Sequence, residues 1–137
     1  MENAIFITLL DYARLKQMTA NPEIRDKASS DNFQRLSKEI ERAKKVKPQK
    51  IGSDVVTMNT VIEFVDLQSG YSKQLKLVYP HEADMKRGFV SILAPIGTAL
   101  LGYRKGDIIE WDVPSGKKKF LIKEILYQPE ANGDYMV

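Results

Sequence analysis

The chain reads as an α+β protein. An antiparallel helical hairpin, a short coiled coil, occupies residues 1–50, and a β-rich unit with one short helix on a mainly antiparallel sheet occupies residues 53–137. Three observations lead to this reading. Hydrophobic spacing is helical over the first 50 residues and switches to a period of two beyond Ser53. Pro48 and Gly52 separate the two stretches. A length of 137 residues, with 43% hydrophobic and 28% charged, suffices for one compact domain or two very small ones with a core.

Thr8 precedes Leu9-Leu10-Asp11, a Thr-x-x-Asp pattern in which each end of a capping box satisfies the other's orphan amide. Leu9–Thr19 lacks Gly and Pro and carries Leu9, Tyr12, Leu15 and Met18 on a drifting face. Pro22 stops that helix, because the residue before a proline is pushed out of the α region. A polar connection, Asn21 to Ser30, leads to a second helix capped by Ser29 or Ser30. Its apolar residues, Phe33, Leu36, Ile40 and Ala43, form a heptad seam on an otherwise charged helix. Two helices joined this way make an αα-hairpin.

Val55–Val65 is dense in β-branched residues and reads as a strand. Ser69-Gly70 turns the chain into Tyr71–Tyr79, where Leu75, Leu77 and Tyr79 alternate with Gln74, Lys76 and Val78. Pro80 to Gly88 reads as a loop and Phe89–Leu93 as a short strand. Pro95 opens a short helix that Gly102 closes. Ile108–Val113 and Lys117–Tyr127 form a hairpin around Pro114-Ser-Gly116. Strict alternation puts Phe120, Ile122 and Glu124 on one face of the last strand and Leu121, Lys123 and Ile125 on the other.

Composition excludes much chemistry. With no cysteine there is no disulfide, thiolate metal site or cysteine nucleophile. The single histidine, His81, sits in a polar loop, so neither a catalytic triad nor a multi-histidine metal site is indicated. No glycine pattern matches a phosphate-binding loop. The apolar stretches fall far short of the ~20 residues of a membrane span, and the N-terminus lacks the features of a signal peptide. The expectation is a cytoplasmic, non-enzymatic interaction module, monomeric, with no cofactor, no metal and no membrane partner.

Charge is uneven. Residues 1–50 hold eleven Lys/Arg and seven Asp/Glu, a balance of +4, and the rest hold ten and eleven, a balance of −1. Arg42, Lys44, Lys45, Lys47 and Lys50 form a basic run, which reads either as a nucleic-acid contact or as a solvated helix end complementing the dipole. Glu23, Asp26 and Asp31 cluster in the hairpin connection. They read either as oxygen ligands completing the shell of a magnesium ion held elsewhere or as ordinary solubilising acids. Leu93, Ala94, Pro95 and Ile96 form an apolar segment that fits a docking surface or packing beneath the short helix.

Val90 to Asp107, containing Ala94-Pro-Ile-Gly-Thr-Ala-Leu-Leu-Gly102, resembles the C-terminal domain of the Gre transcript-cleavage factors. Asp54-Val-Val-Thr-Met-Asn59, Leu77-Val-Tyr-Pro80, Ala94-Pro-Ile-Gly97 and Tyr127-Gln-Pro-Glu-Ala-Asn-Gly-Asp134 resemble the hallmarks of the Rnk subgroup, the regulators of nucleoside diphosphate kinase. The resemblance implies an FKBP-like C-terminal domain that docks on bacterial RNA polymerase at the rim of its secondary channel, with Leu93–Ile96 in the docking loop. It also implies a coiled coil too short to promote cleavage, and competition with Gre factors. Two departures bear on this. Gre tips carry an Asp and a Glu three residues apart, the Glu followed by Asn, whereas here Asp31-Asn32 follows Ala28 and the nearest earlier acid is Asp26. Gre docking loops carry an acid and a Ser before the Pro, where this chain has Leu93 and Ala94. At 1.5 Å per residue the two helices reach about 17 and 24 Å. The alternatives are an active cleavage factor using the tip acids and a direct nucleic-acid binder using the basic run.

Overall fold

The computed structural model describes residues 4–27, 30–113 and 116–135. Strand β1, Phe6–Thr8, runs directly into helix α1, Leu9–Thr19. The Asp11 amide donates to Thr8 Oγ1 at 3.0 Å, so the predicted cap forms. Pro22 ends α1 and also begins a second helix. The connection read as irregular is largely α2, Pro22–Lys27, because proline tolerates the first helical position and Asn21 Oδ1 accepts from the Glu23 amide at 3.0 Å. Helix α3 spans Ser30–Arg42. Ser29 and the side chain of Ser30, the two candidate caps, lie outside the described residues.

After α3 comes strand β2, Lys44–Val46, paired in parallel with β1 in the register Phe6↔Lys44, Ile7↔Lys45, Thr8↔Val46. Parallel neighbours require a long crossover, and α1–α3 provide it. The hairpin is therefore closed at its base by a two-stranded sheet. Lys16 and Glu41 form an ion pair between α1 and α3 at the surface. The seam of α3 faces inward: Leu36, Ile40 and Ala43 are buried with Leu15, Ile5 and Ile7 in the same core cluster as Met58, Ile62 and Leu77. The hairpin lies on the β-rich unit and shares its core.

That unit is a five-stranded sheet ordered β5-β4-β3-β7-β6, with β3 Val61–Asp66, β4 Ser72–Val78, β5 Phe89–Ser91, β6 Ile108–Val113 and β7 Gly116–Tyr127. Neighbours are antiparallel except β4 and β5, which are parallel, so the sheet is mixed. The short helix α4, Pro95–Leu100, packs on it.

Three sequence expectations shift. The strand expected from Val55 starts at Val61. Val55–Thr60 is instead a buried turn, closed by the Thr60 amide on Thr57 O at 3.2 Å and the Thr57 amide on Thr60 Oγ1 at 3.0 Å. Its β-branched residues serve burial and not pairing. The strand expected over Phe89–Leu93 ends at Ser91, and Ile92–Ala94 turn into α4. In β7, Phe64 pairs with Ile122 and Glu63 with Glu124, so Lys123 is the extra residue of a bulge. The bulge flips the alternation. Ile125 pairs with buried Ile62 and packs on the core, contrary to its assignment beside Leu121.

Two glycines permit close crossings. A Cβ on Gly97 would stand 2.3 Å from Ser91 O. Gly102, at φ +84, would meet Ile5 Cβ at 2.8 Å, and there Phe6 N donates to Gly102 O, tying β1 to the end of α4.

Candidate functional site

The proposed docking segment is built around Ser91 and Thr98. Ser91 Oγ accepts from the Leu93 amide at 3.0 Å, and Ser91 O accepts from the Ala94 amide at 3.0 Å. Thr98 Oγ1 donates to Ile92 O at 2.7 Å, pinning α4 to the turn before it. Pro95 is exposed at the first position of α4, where its missing N–H costs nothing. Leu93, Ala94 and Ile96 are half-buried and packed against the core. The segment thus offers an exposed proline on an apolar ridge whose inner side is structural.

The two described connection acids, Glu23 and Asp31, sit on different helices. Glu23 is exposed in the first turn of α2, and Asp31 is exposed in the first turn of α3. Asp31 lines a shallow cleft along α3 with Arg35, Lys38, Arg42 and Tyr103. Asp26's side chain lies outside the described residues. Among the described residues no group of three acids or histidines could hold a metal, and no helix is long and apolar enough to cross a membrane.

The residue after Asp31 is engaged elsewhere. Asn32 Nδ2 donates to Leu93 O and, at 3.0 Å, to Thr98 Oγ1. At the other end of α3, Arg42 grips Glu39 through two contacts of 2.9 Å and donates to Tyr103 Oη at 3.2 Å. Helix α3 is held at both ends along the 93–103 segment.

The basic run is partly folded inward. Arg42 is paired as described, and Lys44, Lys45 and Lys47 follow it on and just after β2. Lys44 Nζ sits over the Phe6 ring at 5.8 Å, with Arg104 over the same ring at 4.8 Å. Lys45 Nζ lies over the Tyr12 ring at 4.9 Å and donates to Glu41 O. Arg42 closes α3, and the rest of the run lies on β2 and just after it.

Sequence reasoning missed a buried polar cluster behind these surfaces. Asp11 is 2% exposed. Its carboxylate accepts from the Met58 amide at 3.1 Å and from Tyr79 Oη at 3.4 Å. The reciprocal half of the capping box is therefore diverted into a tertiary contact between α1 and the β-rich unit. Burial drives the Asp11 carboxyl up to about 7, against the bond from Met58 N. Burial, with Asp11 beside it, also raises the Tyr79 phenol. Nearby, Thr57 Oγ1 donates to Glu130 Oε1 at 2.7 Å, and Gln128 Nε2 donates to Gly52 O and Val55 O at 2.8 Å each. The 54–59, 77–80 and 127–134 motifs thus meet at one seam. The only signal for Asp11 in the sequence was its place in Thr-x-x-Asp.

Residues 50–127 match the family model for the C-terminal region of the transcription elongation factors GreA/GreB, and residues 3–46 match that of the Rnk N-terminus. The chain belongs to the GreA/GreB family, in its Rnk branch. The regulator of nucleoside diphosphate kinase of Escherichia coli strain K12 is 37% identical over 134 residues, covering 97% of this chain and 96% of that protein. The transcription elongation factor GreA of Syntrophotalea carbinolica is 33% identical over 92 residues, 67% of this chain and 58% of that protein. Among solved structures, a prokaryotic transcription elongation factor GreA/GreB from Nitrosomonas europaea superposes with a TM-score of 0.74 at 37% identity, covering 92% of this chain and 100% of that one. These relatives are regulators and elongation factors. The Rnk branch fits the hairpin-plus-sheet architecture described above, and three of the four Rnk-like motifs lie at the Asp11 seam.

Proposed function

We propose that this protein is a non-enzymatic regulator of bacterial transcription. It docks on RNA polymerase near the secondary channel through the Leu93–Ile96 ridge, acts as a monomer, and competes there with Gre factors. Residues 1–50 and 53–137 serve as its two functional units, a packed hairpin and a docking domain.

One observation carries this reading: α3 lies along the 93–103 segment, fixed by Asn32 on Leu93 and by Arg42 on Tyr103. A cleavage factor has to send its acids away from the docking surface into a channel. Here the start of α3 is bonded to the docking segment itself, and its 13 residues span about 20 Å. The separation of Glu23 from Asp31 on different helices supports the same conclusion.

The test is capture of purified bacterial RNA polymerase by tagged protein at low salt. Polymerase is retained by the native chain and lost by Pro95→Asp, an exposed substitution that leaves thermal unfolding unchanged. Displacement of bound protein by a Gre factor supports the shared site. Failure of the native chain to retain any polymerase subunit rejects the reading.

A further inference from the structure

We propose that the groove between α1–α2 and the Pro80–Glu82 turn binds a nucleobase-bearing small molecule, its edge read by the Asn59 carboxamide and its face stacked on the His81–Tyr79 ring pair. The groove holds about 680 Å³, and Met18, Ile24 and Pro80 supply an apolar lining beside those three residues. That volume falls within the range of about 300–1,000 Å³ usual for small-molecule sites, which combine apolar walls with a few placed polar groups.

Asn59 is the decisive residue. It is 3% exposed and adopts φ 68, a left-handed conformation unusual outside glycine. Its backbone amide donates to Leu77 O. Its carboxamide has no hydrogen-bonding partner among the described residues, yet it lines the groove and is not sealed off from it. Glycine satisfies this backbone equally well. The carboxamide therefore meets only solvent in the groove, and a ligand edge can take the place of that water.

The chemistry selects the ligand. A carboxamide presents a donor and an acceptor side by side, complementary to the paired acceptor and donor on a base edge. The His81 and Tyr79 rings are stacked, centroids 6.5 Å apart and 17° from parallel. The His81 side chain is 80% exposed, so its outer face is open to a planar heterocycle. Stacking on such a face tolerates any base, while the amide edge discriminates among them. An extended peptide would instead call for a row of backbone donors and acceptors, and the polar lining of the groove is the amides of Gln17, Asn21 and Asn59 and the His81 ring, with Arg14 and Glu82 at its sides.

The full chain is titrated separately with adenosine, guanosine, cytidine and uridine, followed by ¹H–¹⁵N NMR. The expected result is saturable shifts at the Asn59 side-chain amide and at His81 for at least one nucleoside. Asn59→Asp keeps the size and the left-handed preference but replaces the donor, and it weakens that binding about tenfold. His81→Ala, at an exposed ring, weakens it severalfold without altering thermal unfolding. Asn59→Gly keeps the positive φ and removes the carboxamide, and it replaces the Asp variant if that one unfolds. Absence of saturable shifts for all four nucleosides overturns the proposal. So does undiminished binding by both the Asn59 and the His81 variants.

Discussion

The Asn32 carboxamide bonds both the Leu93 carbonyl and the Thr98 hydroxyl, so one side chain joins the first turn of α3 to the turn before α4 and to α4 itself. Asn32→Ala deletes both bonds and leaves Leu93 O and the half-buried site without their donor. The expected loss is about 1–2 kcal/mol in urea unfolding, from the net worth of a hydrogen bond and the cost of an unpaired group. Asn32→Asp loses the donor as well and falls in the same range. If the alanine variant unfolds at the native midpoint, this bond does not hold the hairpin down.

Asp11 makes stability depend on pH with a definite sign. Its carboxyl titrates near 3.8 in the unfolded chain and near 7 when folded. Between those values the native state holds the extra proton. Its contribution is fully present below about pH 4 and is lost as pH rises through 7, with an upper bound of about 4 kcal/mol. Asp11→Asn removes this ionisation. Urea midpoints measured from pH 4 to 7.5 are expected to fall more steeply for the native chain than for the variant, and parallel profiles would contradict the assignment.

The glycines separate by what surrounds them. Gly97→Ala drives a methyl to 2.3 Å from Ser91 O, and backbone cannot yield as a flexible side chain can. It is expected to cost more than about 3 kcal/mol, at the severe end for single substitutions. Gly70→Ala and Gly133→Ala, at φ +76 and +77 with open space around them, pay the left-handed penalty alone, about 1 kcal/mol. Differential scanning calorimetry ranks the three.

The exposed acids Glu23 and Asp31 are expected to be dispensable for transcript shortening. Stalled, backtracked polymerase complexes with magnesium should show no accelerated cleavage on adding the protein, and Asp31→Ala should behave as the native chain. Accelerated cleavage that vanishes in Asp31→Ala would restore the cleavage-factor reading.

Much of the architecture was legible from spacing. The hairpin helices, the sheet strands from β4 onward and the short helix between Pro95 and Gly102 follow from periodicity and punctuation. Where the reading departed, tertiary contacts decided. β1 and β2 are three residues each and exist because Ile7 and its neighbours are needed in the core and the hairpin returns alongside them. Val55–Thr60 has strand composition but lies where Arg104, Gln128 and Leu77 take its backbone bonds. The bulge at Lys123 carries no glycine to announce it. The Leu93–Ile96 ridge was readable as apolar residues around a proline. Asp11, Asn32 and Asn59 were not readable as a group, since their partners lie 47 to 68 positions away for the first two, and Asn59 matters for a bond it does not make.

The parallel pairing of Phe6–Thr8 with Lys44–Val46 makes the hairpin an insertion whose chain leaves and returns at one place, while Asp11, Asn32 and Arg42 tie its helices to the β-rich unit. The chain leaves and re-enters the fold at neighbouring strands, beside Gly102. Helical turns added in equal number after Thr19 and before Asn32 would move the tip outward by about 5.4 Å each and leave those ties in place. Length beyond Asn32 is thereby uncoupled from the fold beneath it: the same base and sheet can carry a short blunt tip or a long one.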